Sequence, residues 1–231
     1  MPYRRLPTTD AARIRALETA NAMADRVSMS DLAFHSRHIH PLRNAISRLQ
    51  GAKHQQKTAY EHLVRSNEAN HPRLVKTRIY ISHFIQVLNL AIQRDDLSPK
   101  SRTYYGLDEK EARVPDLGSE QAVIEWGKKV IEGESKRVTS GGVPIMNPTS
   151  AKVKVWYDQF KDGYYNLQTA EKSNERANLR MIEIRKDTDK LIAEVWNNIE
   201  ETFAPLGEEE KRRRSEAYGV VYVYRKGERS E

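Results

Sequence analysis

Apolar residues recur at steps of three and four positions over two long stretches of the chain, residues 41–94 and 148–203. Such steps place side chains along one side of an α-helix, so both stretches are predicted to be helical. In the second stretch the apolar stripe is uninterrupted, and its heptad-like spacing is typical of long antiparallel helix packing. The stripe consists of Val153, Trp156, Phe160, Tyr164, Leu167, Ala170, Asn174, Ala177, Met181, Ile184, Thr188, Leu191, Val195, Ile199 and Phe203.

A proline divides the first stretch. Pro72 lacks a backbone N–H group and disfavours the helical conformation for His71, which precedes it. The sequence therefore predicts two helices here, 41–70 and 72–94, joined at Pro72. A single helix over 148–203 would be nearly as long as these two together, so we expect it to pack along both.

The helix predicted after Pro72 is unusual because residues 79–93 contain no Asp, Glu, Lys or Arg. Its apolar side chains cover well over half of the helix circumference, which is typical of the central member of a helical bundle. A membrane-spanning segment is not indicated, because such a segment needs about 18 or more consecutive apolar residues.

The remaining pattern predicts shorter elements. Helices are expected over 9–27 and 119–139, and residues 95–118, with two prolines and two glycines, predict a long turn-rich loop. Residues 218–226 (YGVVYVYRK) are rich in Val and Tyr and predict a strand, whose partner would be residues 142–146 or another chain. The predicted fold is all-α: an elongated antiparallel helical bundle with long coiled-coil-like helices and a minor C-terminal β-strand.

Three segments resemble an uncharacterised bacterial family of helical proteins. They are PYRRLPTTDAARIRAL near the start, LVKTRIYISHFIQVLNLAI after Pro72, and YGVVYVYRK near the end. The resemblance extends over nearly the full length, which implies that residues 1–231 form a single helical domain. It implies no activity, no cofactor and no site residues.

Composition excludes several classes of protein. The 231 residues include no cysteine, so a disulfide scaffold, a cysteine-ligated metal site and a cysteine nucleophile are all excluded. The N-terminal sequence MPYRRLPTTD is positively charged but has no apolar region after it, unlike a secretory signal. A cytoplasmic location is therefore expected.

The net charge of +7 is unevenly distributed. Residues 1–100 contain 16 basic and 8 acidic residues, whereas residues 151–231 contain 16 of each. Several of the basic residues fall on or near the solvent face of the first long helix, and a basic helical face can follow a line of phosphates. Glu61 interrupts this face, and it has no aromatic residues for base stacking. The candidate anion- or nucleic-acid-binding residues are Arg37, Arg43, Arg48, Lys57 and Arg65.

All seven histidines precede residue 84. His35, His38 and His40 are close enough in sequence to suggest a metal site, and they are weak candidates for one. Glu68 and His71 have the Glu-x-x-His spacing of di-iron bundles, but such a site needs a second unit of this kind and further glutamates. No later histidine could supply it. We therefore expect no cofactor.

No nucleotide-binding or hydrolase motif is present, neither Gly-x-Ser-x-Gly nor a glycine-rich phosphate loop. The favoured hypothesis is a non-enzymatic helical scaffold or protein-interaction protein that binds a protein partner or forms a homo-oligomer. The alternative is an anion or nucleic-acid binder that uses the basic N-terminal face. A metal-binding or enzymatic helical bundle is the third hypothesis.

Overall fold

The computed structural model describes residues 2–224 and confirms the all-α prediction, since 74% of these residues are helical. Its only sheet among the described residues has two short strands. None of the described helices is long and apolar enough to cross a membrane. In chain order the elements are β1 (Tyr3–Arg4), α1 (Asp10–Arg26), a 3₁₀ turn (Ser36–His38), α2 (Ile39–Gln93), a 3₁₀ segment (Pro99–Tyr105), α3 (Glu120–Thr139), α4 (Ser150–Thr202), α5 (Glu208–Ala217) and β2 (Tyr222–Val223).

The described residues form two compact units. The terminal unit contains residues 2–59 and 174–224, and the middle unit contains residues 60–173. The two long helices, α2 and α4, contribute residues to both units. Each unit therefore has its own core.

The prediction of two helices joined at Pro72 is wrong, because α2 is one continuous helix that contains this proline. Pro72 is exposed, and so is Glu68, the residue whose carbonyl loses its helical partner. A carbonyl on the solvent side of a helix can be hydrated, which lowers the cost of the missing bond. Asn70 precedes Pro72 and Leu74 follows it, and both side chains are buried in the middle unit. Packing on both sides of the proline therefore keeps the helix continuous.

The long stripe predicted for α4 is confirmed: all of its members are buried or half-buried. Within the terminal unit, Gln56 Nε2 of α2 donates to Asn178 Oδ1 of α4 at 2.7 Å. Within the middle unit, Thr77 Oγ1 of α2 donates to the Trp156 carbonyl of α4 at 3.0 Å. In the terminal unit Arg48 also lies beside Asp187, and in the middle unit Asn70 also lies beside Gly163, so within each unit the numbers fall along α4 as they rise along α2 and the helices are antiparallel.

The core of the terminal unit includes Leu17 from α1, Leu42 from α2, and Trp196 and Ile199 from α4. All four side chains are almost fully buried. The N-terminus of α1 is capped by Thr9, whose hydroxyl accepts a hydrogen bond from the Ala12 amide. The burial of Leu17 in this core packs α1 against both long helices.

The C-terminal strand is shorter than predicted and its partner differs from both of those expected. β2 pairs antiparallel with β1, so that Tyr3 is opposite Val223 and Arg4 is opposite Tyr222. Tyr218 and Val220 do not extend the strand because their side chains enter the helical core. Residues 225 and 226 of the predicted strand lie outside the described residues.

The core of the middle unit is built on the buried side of α2, where Ile81, Phe84 and Leu88 are fully buried. Helix α3 packs close to α4 at Gly127. A β-carbon at this position would lie 2.3 Å from the Tyr157 ring, so the glycine allows a contact that no other residue would permit.

Two glycine substitutions should therefore have opposite effects on stability. We expect Gly127→Ala to lower the free energy of unfolding by about 1–3 kcal/mol, because the Tyr157 ring must move. Gly51, also inside a helix, has no atom within 4 Å of an added β-carbon, so Gly51→Ala should raise it by about 0.5–1 kcal/mol. Urea denaturation measures both. Equal effects of the two substitutions would contradict the close contact at Gly127.

Candidate interaction surface

The candidate basic residues of the terminal unit contact acidic or polar partners. Arg43 donates through Nη2 to Asp25 at 2.6 Å and through Nε to Asn21 at 2.9 Å. Arg48 lies 3.7 Å from Asp187. Both arginines are exposed, so these pairs stabilise the fold only weakly. They do, however, place carboxylates within the predicted basic face.

The remaining candidates are separated between the two units. Arg37 and Lys57 belong to the terminal unit, and Arg65 belongs to the middle unit. Arg37 Nε donates to His38 Nε2 at 3.4 Å, and Arg65 lies 3.9 Å from Glu61. The sequence grouped these residues by helical periodicity, but Glu61 beside Arg65 reduces the positive potential that phosphate binding needs.

Two of the predicted residues line a small cavity in the terminal unit. Its volume is about 260 Å³, and His40 and Arg48 of α2 lie opposite Asp187 of α4. A cavity of this size with an acidic and a basic residue is not selective for anions. It gives the predicted anion site no support.

The three candidate metal ligands occupy different environments. His38 is buried, whereas His35 and His40 are exposed. The His35 and His38 rings stack with their centroids 6.3 Å apart. Over residues 2–224, no group of three or more His, Asp or Glu side chains could hold a metal ion.

Burial gives His38 a different property. Loss of solvent lowers the pKa of His38 below its usual 6.5, the neighbouring Arg37 lowers it further, and Glu194 acts in the opposite direction. The folded terminal unit therefore favours the neutral imidazole.

This shift predicts a dependence of stability on pH. Because the pKa of His38 is lower in the folded chain, the unfolded chain binds the proton first as the pH falls below 6.5. Stability should be full above about pH 7.5 and decline as the pH falls through 6.5 towards about 5, a range in which carboxylates contribute little. The His38→Gln variant should lose this slope, and His54→Gln, which alters an exposed histidine, should keep it. Urea denaturation at several pH values tests this, and an unchanged slope in His38→Gln would contradict it.

Two bidentate ion pairs, which the sequence did not reveal, join α1 to α4. Arg13 donates to both carboxylate oxygens of Asp189 at 2.7 and 2.8 Å, and Arg185 donates to both oxygens of Asp10 at 2.7 Å. The hydrogen bond from Arg185 lowers the pKa of Asp10 despite the opposing effect of burial. These four groups satisfy one another, so they stabilise the terminal unit rather than form a binding site.

The most distinctive surface of the middle unit is a face of α2 without charged residues, which we call the uncharged face. Ile79 is 58% exposed, Leu90 is 50% exposed and Val75 is 39% exposed. The polar members of the face are also exposed. The uncharged face consists of Val75, Ile79, His83, Gln86, Leu90 and Gln93.

The 106–118 loop runs beside this face and is attached to α2 near both of its ends. Arg78 Nη2 donates to the Gly118 carbonyl at 2.5 Å. Arg102, which is buried, donates through Nε to Asn89 at 3.0 Å and through Nη1 to the Glu109 carbonyl at 2.9 Å. The two arginines therefore hold the loop along the helix.

Two neighbouring cavities lie between the uncharged face and the 106–118 loop. The first, of about 460 Å³, extends from Arg78 and Ile79 to Leu117. The second, of about 530 Å³, extends from Leu90 to Arg102 and Val114. Gln86 lines both cavities. We call the pair of cavities the groove.

Arg78 is incompletely bonded where it lines the groove. Its Nε atom is buried and forms no hydrogen bond with any of residues 2–224. A buried donor without an acceptor costs about 1–3 kcal/mol. The Nη1 group also forms no hydrogen bond with any of residues 2–224 and, unlike Nε, is not buried, so it can donate to an acceptor in the groove.

A buried ion pair supports the base of the 3₁₀ segment that leads into the loop. Arg137 donates to both oxygens of Glu134 at 2.9 and 3.0 Å, and Tyr105 donates its hydroxyl hydrogen to the same carboxylate. The Ile145 amide donates to Glu134 at 2.7 Å, and Arg137 also donates to the Val143 carbonyl at 2.7 Å. The network joins α3 to the segments that precede and follow it.

Hydrogen bonding determines the ionisation of this network. Burial acts to raise the pKa of Glu134, but hydrogen bonds from Arg137, Tyr105 and Ile145 outweigh it and hold the pKa below 4.5. Burial and the neighbouring Glu134 raise the pKa of Tyr105. Glu134 is therefore charged and Tyr105 neutral at neutral pH. With its donors and acceptors paired internally, the network is structural.

Removal of the buried cation should be costly. We expect Arg137→Met to lower the free energy of unfolding by about 3–5 kcal/mol, because Glu134 stays buried without its counter-charge. Arg113→Met, which breaks the exposed pair with Glu111, should change it by less than about 1 kcal/mol. Chemical denaturation compares the two variants. A loss of similar size in both would show that the Glu134–Arg137 pair has no special role.

Comparisons with known proteins found no family model, no curated protein and no solved structure that matches this chain. The resemblance to a bacterial helical family stays a prediction. The surface must therefore be interpreted from its own chemistry.

The sequence identified part of this surface but assigned it to the wrong environment. The absence of charge over residues 79–93 predicted a central helix covered on most sides. In the structure, one side of α2 is buried and Ile79 and Leu90 on the other side are exposed. The position of the 106–118 loop, which covers only one edge of α2, could not be predicted from the sequence.

Proposed function

We propose that this protein is a non-enzymatic interaction protein and that the groove on its middle unit binds a protein partner. The observation that carries the proposal is the exposed face of α2 over residues 79–93, which has no charged residue. A helix with one side in solvent normally has charged side chains on that side. A face with exposed Ile79 and Leu90 and no charges has the character of an interface core.

A second exposed apolar pair shows the contrast. Leu179 and Ile182 of α4 are 56% and 58% exposed, much like Ile79 and Leu90. The charged residues within four positions of this pair have both signs and include Glu175, Arg176, Arg180, Glu183 and Lys186, whereas those within four positions of Ile79 and Leu90 are only Lys76, Arg78 and Arg94. Single apolar residues among charges are ordinary protein surface, whereas a continuous uncharged stripe indicates an interaction site.

The alternative function, binding of anions or nucleic acid, has weaker support. Arg43 and Arg48 contact carboxylates, and the candidate residues are divided between the two units. A homo-oligomer and a different protein partner are both compatible with the groove. A cytoplasmic location stays an expectation from the sequence.

Site-specific photocrosslinking tests the proposal. We expect the photoreactive residue p-benzoylphenylalanine to form one discrete adduct in cells when it replaces Leu90, and to form none when it replaces Leu179, which has similar exposure. Adding Ile79→Glu to the Leu90 probe should remove most of the adduct, because a carboxylate would have to be desolvated in the interface.

Gel shift and mass spectrometry provide the readout. No adduct at residue 90, or the same adducts at residues 90 and 179, would refute the proposed function. An adduct that persists in the Ile79→Glu background would show that the contact does not depend on the uncharged face.

A further inference from the structure

We infer that the groove binds an amphipathic helix with acidic residues beside its apolar stripe. This inference rests on the proposed function and specifies the chemistry of the partner. It follows from the shape of the groove, the type of backbone around it and the charges along its walls.

The shape favours a helix. The uncharged face extends from Val75 to Gln93, which at 1.5 Å per residue is about 27 Å. Its apolar members Ile79 and Leu90 lie three helical turns apart on one side of α2. A second helix that presents apolar residues at steps of three and four would contact both.

The backbone around the groove argues against an extended peptide. An extended peptide binds by adding a strand to the open edge of a sheet, or as a polyproline helix in a groove lined by Phe, Tyr or Trp, none of which lines this groove. The groove is formed by α2 and the 106–118 loop, and no strand of the described residues lies in the middle unit. Side chains rather than backbone groups must therefore provide recognition.

The charged residues that line the groove indicate that its partner is acidic. Arg78 and Arg102 line it, and none of its described lining residues is acidic. Arg78 uses only Nη2 for a bond within the described residues, so its Nη1 group is open to an acceptor. Arg102 uses Nε and Nη1, so its Nη2 forms no hydrogen bond with a described residue.

The four acidic residues of the 106–118 loop, Asp108, Glu109, Glu111 and Asp116, lie outside the set of residues that line the groove. Asp116 accepts a hydrogen bond from the Gly118 amide at 2.8 Å, and Asp108 accepts one from the Lys110 amide at 2.7 Å. Glu111 lies 3.5 Å from Arg113. A guanidinium with unused donors recognises a carboxylate by two parallel hydrogen bonds, which supplies orientation as well as attraction.

Three fluorescent synthetic peptides test the inference. All share one helical stripe of leucines, and the flanking positions are Glu in the first, Gln in the second and Lys in the third. We expect the Glu peptide to bind about tenfold more tightly than the Lys peptide, with the Gln peptide between them, as one charge-assisted contact would produce. Fluorescence anisotropy with the full-length protein measures the three affinities.

Matched variants locate the contact. Arg78→Gln should remove most of the preference for Glu over Gln, and Arg78→Lys should restore part of it. Ile79→Ser with Leu90→Ser should weaken all three peptides. Arg43→Gln, which changes an exposed arginine of the terminal unit on the same helix, should change none of them. Circular dichroism and the unfolding midpoint establish that each variant is folded.

Several outcomes would overturn the inference. Equal or tighter binding of the Lys peptide would show that the assigned charge is wrong, and failure of all three peptides would show that the groove does not bind a helix of this kind. An equal effect of Arg43→Gln and Arg78→Gln would indicate non-specific attraction. Sedimentation showing a dimer that Leu90→Glu dissociates would identify the occupant as a second copy of the chain.

These results are separable from the test of the proposed function. A Leu90 photoadduct without a preference for the Glu peptide would preserve the interaction function and refute the acidic helix. Absence of the photoadduct would refute the function itself, whatever the peptides show.

Discussion

The pairing of α2 with α4 is the contact on which each unit depends. Each helix is amphipathic and needs a second apolar stripe to cover its own. In the terminal unit Leu49 and Met181 share a buried cluster, and in the middle unit Thr77 donates to the Trp156 carbonyl. Helices this long gain most of their stability from such packing rather than from intrinsic propensity. The other helices pack against the framework that the pair provides.

The groove exists because the other elements of the middle unit cover α2 only in part. Residues 79–93 are uncharged, yet α3 and α4 cover only the side of α2 that carries Phe84 and Leu88. The 106–118 loop covers one edge, held there by Arg78 and Arg102. The arginines thus have two roles: they fix the loop, and they place positive charge among the otherwise uncharged residues that line the groove. A helix face that only contacts solvent would require neither the attached loop nor the two arginines beside it.

The elements determined by local pattern could be predicted from the sequence, and those determined by distant contacts could not. Periodicity predicted α1, α3 and α4, since spacing along the chain alone defines a helical face. The continuity of α2 through Pro72 depends on buried residues on both sides of it, and the strand partner Tyr3–Arg4 lies far from β2 in sequence. The basic and histidine candidates were selected by type, but charge neutralisation depends on partners such as Asp187, which periodicity cannot identify.

The division of the chain between its two units also has a consequence for the order of folding. The middle unit is one uninterrupted stretch, residues 60–173, so its contacts can form as soon as that stretch has been synthesised. The terminal unit must bring residues 2–59 together with residues from 174 onwards, which closes a loop as long as the whole middle unit. A folded middle unit shortens that closure, because the ends of a compact stretch lie closer together than the ends of the same stretch unfolded. The stretch that carries the groove can therefore fold without either end of the chain and lower the entropic cost of joining the two halves of the terminal unit.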